Sequence, residues 1–129
     1  MNIAYIDTSA LVAVAFNEPS ASILTKIISR CDKVISSSLL EAEIRSAFAR
    51  ENVNFPESLL SGIGWILPER PLTQELAITL DAGYLRGADL WHVASALYAV
   101  NDPQQVFFAT LDYKQERVAR AIGFQILEK

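Results

Sequence analysis

The sequence predicts an α/β fold with a short, largely parallel central sheet. Residues 2–6 and 106–110 are short apolar runs of the kind that form buried parallel strands. Segments with helical spacing of apolar residues lie between them, and strands that alternate with helices are typical of a parallel sheet. The 129 residues, of which 51% are apolar, show no linker or internal repeat, so we expect one domain over residues 1–129.

Further elements follow in chain order from the same patterns. Two more short strands are predicted at Lys33–Ser36 and Phe124–Leu127. Helices are predicted over Ser9–Phe16, Ser20–Arg30, Ser38–Glu51, Pro56–Leu60, Leu72–Tyr84, Ala88–Val100 and Tyr113–Ile122.

Local signals support several of these boundaries. Ser20 is a suitable N-cap, Pro56 is tolerated in a first helical turn, and Gly123 is suited to end the last helix. The stretch from Pro56 to Pro71 is the least regular part of the sequence, because its pattern is interrupted by Gly62, Gly64 and Pro68.

Four carboxylates lie where folding alone would not favour a charge. Asp7 and Asp112 follow the two apolar runs, and Glu43 and Asp89 interrupt the apolar sides of predicted helices. A buried carboxylate is costly unless it is paired, hydrogen-bonded or bound to a metal. Because ligands bind beyond the carboxyl ends of parallel strands, the four acids together predict a divalent-cation site. For Asp7 and Asp112 the alternative is that each only caps the helix that follows.

Helical geometry separates Glu43 from the nearby Glu41, since two positions on a helix differ by about 200°. Glu43 projects into the apolar stripe of its helix, whereas Glu41 lies near the far edge, where Arg45 can pair with it. Asp89 shares a helix face with apolar residues such as Val93, so we expect it to point into the protein. The alternative for Asp89 is a first-turn acid favoured by the helix dipole.

The oxygen donors favour Mg²⁺ or Mn²⁺ over zinc. The one histidine, His92, could support the site three residues beyond Asp89, but we favour a buried packing role. The one cysteine, Cys31, excludes an intramolecular disulfide and fits a reducing cytosol. The N-terminus lacks a secretory signal, and the longest apolar run, Ala10–Phe16, is far shorter than the roughly 20 residues that span a bilayer. We therefore expect a cytoplasmic protein without membrane contact.

The net charge of −4 and the pI of about 4.9 argue at first against a nucleic-acid partner. Of the 15 acids, the 11 that remain without the four candidate ligands equal the 11 bases in number. A cation held by the four acids would leave an outer surface that need not repel a polyanion. The overall charge therefore does not decide whether the protein has a nucleic-acid partner.

Four stretches, in order, resemble the PIN-domain family, in particular the VapC-like ribonuclease toxins of bacterial and archaeal toxin–antitoxin pairs. They are Tyr5–Leu11, Leu40–Arg45, Ala88–Leu97 and Ala109–Asp112, and the resemblance extends over essentially the whole chain. It implies a three-layer α/β/α fold that is commonly dimerised. It also implies a metal-dependent endoribonuclease that uses Mg²⁺, with Mn²⁺ as a substitute, and a cognate antitoxin protein as partner.

The resemblance assigns roles residue by residue. The family's catalytic and metal-binding quartet falls on Asp7, Glu43, Asp89 and Asp112. Asp7 and Asp89 match the positions most consistently credited with metal binding. Hydroxyl positions that support the site by hydrogen bonding correspond to Ser9 and Thr110.

In the expected reaction, the cation lowers the pKa of a bound water and neutralises charge on the attacked phosphate. Glu43 or Asp112 then accepts the proton of that water or orients it. Basic residues could contact the RNA backbone, although solvated surface charge is the default for Arg45, Arg50, Arg86, Lys114, Arg117 and Arg120. The alternative function is a PIN-fold binding or scaffold module with a weak or unused nuclease site.

The segment from Leu59 to Pro71 is unusually apolar for a stretch with several chain breakers. A surface that apolar is more often covered than exposed. We expect part of it, with nearby helices, to form a twofold self-interface and a groove for an antitoxin segment. An Arg or Lys of that segment would lie against the acidic quartet. The alternative is that these residues complete the core of the monomer.

Overall fold

The computed structural model describes residues 2–127, which contain a four-stranded sheet. Its spatial order is β3-β2-β1-β4, and every pairing is parallel. The register between the first and last strands places Ile6 opposite Ala109. The predicted parallel sheet is confirmed by the strands β1 (Ile3–Ile6), β2 (Lys33–Ser37), β3 (Ile63–Ile66) and β4 (Val106–Ala109).

Helices connect the strands and cover the sheet. Two short 3-10 turns, Glu57–Leu60 and Pro103–Gln105, precede β3 and β4. Within residues 2–127, none of the helices is long and apolar enough to cross a membrane. The α-helices are α1 (Thr8–Ala15), α2 (Ala21–Ser29), α3 (Leu39–Arg50), α4 (Thr73–Ala82), α5 (Gly87–Ala99) and α6 (Tyr113–Ile122).

Two apolar cores lie on opposite faces of the sheet, because side chains alternate along each strand. The first core contains Tyr5 and Phe108 with residues of α5 and α6. The second contains Ile6 and Phe107 with residues of α1, α2 and α3. Helices therefore cover both faces, as expected of a three-layer α/β/α fold.

The helix ends agree with the sequence signals to different degrees. Gly123 ends α6 with a φ of 119°, a left-handed conformation that strains residues with a Cβ. Ser20 lies at the N-cap of α2, but its side chain makes no capping hydrogen bond. Pro56 precedes the turn Glu57–Leu60, which is a 3-10 helix rather than the α-helical turn expected there.

The sequence pattern does not reveal β3, which forms one edge of the sheet within the irregular stretch Pro56–Pro71. Gly62 leads into the strand with a φ of 85°, a conformation that L-residues rarely adopt. Gly64 lies in the strand, where an added Cβ would be 3.5 Å from Cγ2 of Ile35. Gly62 suits the turn, whereas the contact at Gly64 is an ordinary van der Waals distance. Both glycines interrupt the alternation on which a strand prediction depends.

The structure corrects the strand predicted at Phe124–Leu127. This segment makes a single parallel bridge, between Gln125 and Phe107. Gln125 exchanges two backbone hydrogen bonds with β4, of 2.8 and 2.9 Å, and its neighbours Phe124 and Ile126 are buried. The apolar residues that predict a strand here instead anchor an irregular segment against the sheet.

The loop between α4 and α5 packs closely against α6 at Gly83. A Cβ built on this residue would lie 2.8 Å from Cγ2 of Val118, which belongs to the first core. The backbone of Gly83 is extended, so glycine is needed for the close approach and not for its conformational freedom. Leu85 is buried in the same core, and the loop is therefore fixed on both sides of Tyr84.

The substitution Gly83→Ala should lower the free energy of unfolding by about 1–3 kcal/mol, because the added methyl group overpacks against Val118. Urea denaturation measures the change. Gly87→Ala is the matched control, since a Cβ there meets nothing within 4 Å. It should leave the stability unchanged or raise it by up to about 1 kcal/mol. Equal stabilities for the two variants would contradict the close packing.

Candidate active site

The carboxyl ends of β1 and β4 lie side by side and place their following residues at one edge of the sheet. Ile6 pairs with Ala109, and the Asp7 backbone N–H donates to the Ala109 carbonyl at 3.1 Å. Asp7 and Thr110 are consequently neighbours, although 103 positions separate them in sequence. Parallel pairing of two distant segments creates the first contact of the site.

Asp7 is buried, with 3% of its surface exposed, and both of its carboxylate oxygens accept hydrogen bonds. Oδ1 accepts from the Ser9 hydroxyl at 2.8 Å and from the Ala10 backbone N–H at 3.0 Å, while Oδ2 accepts from the Thr110 hydroxyl at 2.9 Å. The hydrogen bond from Ala10 caps α1, so Asp7 serves as the N-cap of this helix, which is the alternative role predicted for it. Burial raises the pKa of Asp7 to about 6, against the opposing effect of these hydrogen bonds.

The Thr110 hydroxyl has more acceptors around it than one hydrogen can serve. Its oxygen lies 2.9 Å from Asp7 Oδ2 and 2.7 Å from Gln115 Oε1, and it accepts the Asp112 backbone N–H at 3.0 Å. A hydroxyl group donates one hydrogen bond, so it satisfies either Asp7 or Gln115. A proton on Asp7 would supply the hydrogen that the network lacks, which agrees with the raised pKa of this carboxyl group.

Glu43, from α3, is held by a buried chain of polar side chains. His92 Nε2 lies 2.8 Å from Glu43 Oε1, and His92 Nδ1 lies 2.6 Å from the Tyr5 hydroxyl. Burial raises the pKa of Tyr5, so this hydroxyl stays protonated and donates to Nδ1. With Nδ1 accepting this hydrogen bond, a hydrogen on Nε2 donates to Glu43. The hydrogen bond from His92 is the main cause of the lowered pKa of Glu43.

The structure corrects the packing role expected of His92. The ring is buried, with 2% of its surface exposed, but both nitrogens are hydrogen-bonded and one of them contacts Glu43. His92 therefore orients a candidate site residue. The pairing of Glu41 with Arg45 on the same helix as Glu43 is observed as predicted, with an N–O distance of 2.8 Å.

Asp89 and Asp112 line an open cleft of about 690 Å³ between the starts of α5 and α6. Asp112 caps α6 through a 2.9 Å hydrogen bond from the Gln115 backbone N–H, and Asp89 lies in the first turn of α5. Burial and then the negative charge of Asp112 raise the pKa of Asp89. The Gln115 side-chain amide donates to the Asp89 carbonyl at 3.1 Å and joins the two helices beside the cleft.

The donor atoms fit a hydrated Mg²⁺ or Mn²⁺ better than an ion enclosed by protein. Among residues 2–127, no group of three or more His, Cys, Asp or Glu side chains has an arrangement that could hold a metal ion. Mg²⁺ commonly keeps several waters and binds through one or two carboxylates plus substrate phosphates. The open cleft with Asp89 and Asp112 suits that mode, whereas both oxygens of Asp7 are already engaged.

Several polar residues of the site carry little signal in the sequence. The Thr8 hydroxyl donates to Glu43 Oε1 at 2.6 Å, and Gln115 links Thr110 to Asp89. Tyr5 looks like an ordinary aromatic residue of a buried strand. A sequence signal does exist for Gln115, because it lies three and four positions before Val118 and Ala119 and so falls on the apolar face of α6.

The fold and the site define an α/β protein with a cluster of carboxylates and hydroxyls at the carboxyl edge of a parallel sheet. The family model of the PIN domain matches residues 4–121, so the chain belongs to the PIN-domain family. PIN domains are generally nucleases that use divalent metals.

A solved structure of VapBC-1 from nontypeable Haemophilus influenzae has the same fold. It aligns with a TM-score of 0.67 and 18% sequence identity, covering 98% of this chain and 97% of the other. No curated protein is significantly similar to the sequence. Membership of the PIN-domain family is thus confirmed, and the fold is the one that the VapBC-1 structure shares.

Asp7→Asn should stabilise the protein at neutral pH when divalent metal is removed with EDTA. The pKa of Asp7 is higher in the folded protein than its unfolded value of about 4, so protonation of Asp7 favours the folded state. This contribution is complete below about pH 4 and is lost as the pH rises through 6. Asparagine carries no charge, and its amide can donate to Thr110, whose hydroxyl then serves Gln115. The expected gain at pH 8 is on the order of 2 kcal/mol.

Chemical denaturation between pH 4.5 and 8 measures this effect. The advantage of Asp7→Asn should shrink steadily as the pH falls, because wild-type Asp7 becomes protonated. A difference between the two proteins that does not change with pH would contradict the raised pKa.

Proposed function

We propose that this chain is a metal-dependent endoribonuclease that hydrolyses RNA phosphodiester bonds and acts as the toxin of a toxin–antitoxin pair. One observation carries the proposal: Asp89 and Asp112 share an open cleft at the carboxyl edge of the sheet, next to the buried Asp7 and its hydroxyl partners. In a member of the PIN-domain family, this arrangement supports hydrolysis of a phosphodiester with a divalent cation.

Asp89 and Asp112 would hold Mg²⁺, with Mn²⁺ as a substitute, and Asp7 and Glu43 would complete the quartet. The bound ion supplies charge neutralisation at the phosphate and a water of lowered pKa. Asp7 could bind the ion only if its oxygens accepted the ion in addition to their present hydrogen bonds. Ser9 and Thr110 would then keep the carboxylate in place through their hydrogen bonds to it.

Glu43 suits the role of orienting the attacking water. Its Oε1 accepts from Thr8 and His92, and no described residue hydrogen-bonds to Oε2. The side chain is 30% exposed, so a water can reach that second oxygen. The lowered pKa keeps Glu43 ionised but makes it a weak proton acceptor. The lowered pKa of Glu43 therefore supports a role in orienting the water. Asp112 is the other candidate for accepting the proton of that water.

Purified protein should cleave RNA in the presence of Mg²⁺ or Mn²⁺ and stop when EDTA is added. Asp89→Asn should lower the rate by roughly a hundredfold or more, because it removes a charged ligand from the cleft. Asp81→Asn is the matched control, since Asp81 is an exposed acid on α4. Gel analysis of a labelled oligonucleotide, with thermal melts of each variant, measures both properties.

The scaffold function is the competing explanation and gives a different result. A folded wild-type protein that binds RNA or a partner protein but leaves the phosphodiester bonds intact with either metal would support it. Cleavage that survives in Asp89→Asn would point to a contaminating nuclease.

An apolar groove of about 350 Å³ supports the proposal of an antitoxin partner. It lies between α1, α2 and the start of β3, and Leu11, Val14, Ile28, Leu59 and Ile63 are among its lining residues. A helical or extended segment with apolar anchors would fit such a groove. A basic side chain carried by that segment could reach the carboxylates and replace the charge of the metal.

The structure offers less support for a homodimer built on the apolar segment Leu59–Pro71. Ile66 is buried, and Ile63 and Trp65 pack against the second core, which agrees with the alternative that these residues complete the monomer. Leu67, however, is 68% exposed beside the free edge of β3. Self-association at this edge of the sheet remains part of the proposal. A cytoplasmic location is part of it as well.

Sedimentation at several protein concentrations tests the proposed assembly. The chain alone should form a dimer at tens of micromolar, and Leu67→Asp should shift it towards monomer. Co-expression with the product of the neighbouring reading frame should give a heavier complex. A wild-type chain that stays monomeric would remove the homodimer from the proposal.

A further inference from the structure

Tyr84 is presented to solvent by a loop that cannot easily move. The side chain is 76% exposed, although Gly83 contacts the first core closely and Leu85 is buried in it. In an extended segment, neighbouring side chains point to opposite sides, so the burial of Leu85 directs Tyr84 and Arg86 outwards. Single exposed aromatic residues need no explanation, but an exposed ring on an anchored backbone beside a candidate active site does.

The position of Tyr84 joins two cavities. It lines the cleft that contains Asp89 and Asp112, and it also lines a second cavity of about 410 Å³ along α6. Lys114 lines both as well, and Arg117 lines the second. A continuous path therefore leads from the acidic cleft past Tyr84 to the basic side chains of α6.

The charges along this path favour a polyanion. Arg86, Lys114 and Arg117 are exposed, and none of them forms an ion pair with another residue within 2–127. These three cations outnumber the two carboxylates of the cleft, and a bound divalent cation would neutralise the carboxylates. An acidic protein thus has a local basic surface where its net charge would not predict one.

We propose that Tyr84 is a stacking platform for a base of single-stranded RNA, next to the phosphate that lies in the acidic cleft. The inference rests on the proposed nuclease function and adds a residue that positions a base of the substrate. A tyrosine ring can stack on any unpaired base, whereas bases within a duplex are already stacked on one another. Lys114 and Arg117 would contact the phosphates that follow the stacked base.

Tyr113 is a less suitable platform, although it also lines the cleft and is 63% exposed. The guanidinium of Arg117 lies over its ring, 5.7 Å from the centroid. Tyr84 has no such contact among the described residues. We therefore assign the stacking role to Tyr84 and a bordering role to Tyr113.

Fluorescence anisotropy tests the platform separately from catalysis. The titrations use a labelled single-stranded oligouridylate, an abasic strand of the same length and a duplex, all with Ca²⁺, and a gel checks that each strand remains intact. Tyr84→Ala should weaken binding of the oligouridylate by about tenfold, since stacking on an aromatic side chain is worth roughly 1–3 kcal/mol per base. Tyr84→Phe keeps the ring and should bind like wild type.

Two controls make the result specific. The abasic strand keeps the phosphates, so its weaker binding should not change in Tyr84→Ala. Val53→Ala trims another exposed apolar side chain, one that does not line the cleft, and should bind like wild type. The duplex should bind more weakly than the single strand.

Failure of this inference differs from failure of the proposed function. If Tyr84→Ala binds the oligouridylate as wild type does, or loses equal affinity for the abasic strand, stacking is overturned even if the protein cleaves RNA. Wild-type protein that binds no single strand also overturns it. If binding depends on Tyr84 but no RNA is cleaved, the platform stands and the nuclease proposal fails.

Discussion

The parallel pairing of β1 with β4 is the constraint on which the rest of the site depends. It joins the beginning of the chain to a segment more than a hundred positions later and places Asp7 beside Thr110. The same junction starts α1 and α6, each capped by an aspartate. The two aspartates thus serve the fold as helix caps and remain available as candidate ligands, since a cap uses only part of the hydrogen-bonding capacity of a carboxylate.

Much of the fold could be predicted because most elements carry a clear periodic signal. The exceptions have physical reasons. β3 is a short edge strand with a glycine inside it, and its apolar side chains could equally belong to a loop or an interface. Residues 124–127 have the composition of a strand but lie beside β4, where Gln125 alone forms a bridge. Composition alone cannot distinguish a segment that is buried because it pairs with a strand from one that is buried by the packing of its side chains.

The candidate site was predictable in its charged residues and less so in the neutral ones around them. A carboxylate in an apolar pattern is conspicuous, whereas Tyr5 and Thr8 are unremarkable until long-range contacts bring them to His92 and Glu43. His92 shows the difference most clearly. Its burial was correctly expected, but its function depends on partners from β1 and α3 that a local pattern on α5 cannot identify.

The single hydrogen of the Thr110 hydroxyl couples the sheet edge to the spacing of two helices. When Asp7 is ionised, it competes with Gln115 for this hydrogen, and Gln115 is the residue that joins α6 to the backbone of α5. Neutralising Asp7 releases the hydroxyl to Gln115 and strengthens that link. Through this one hydrogen, the charge of the buried Asp7 acts on a hydrogen-bonded link between the two helices that border the cleft.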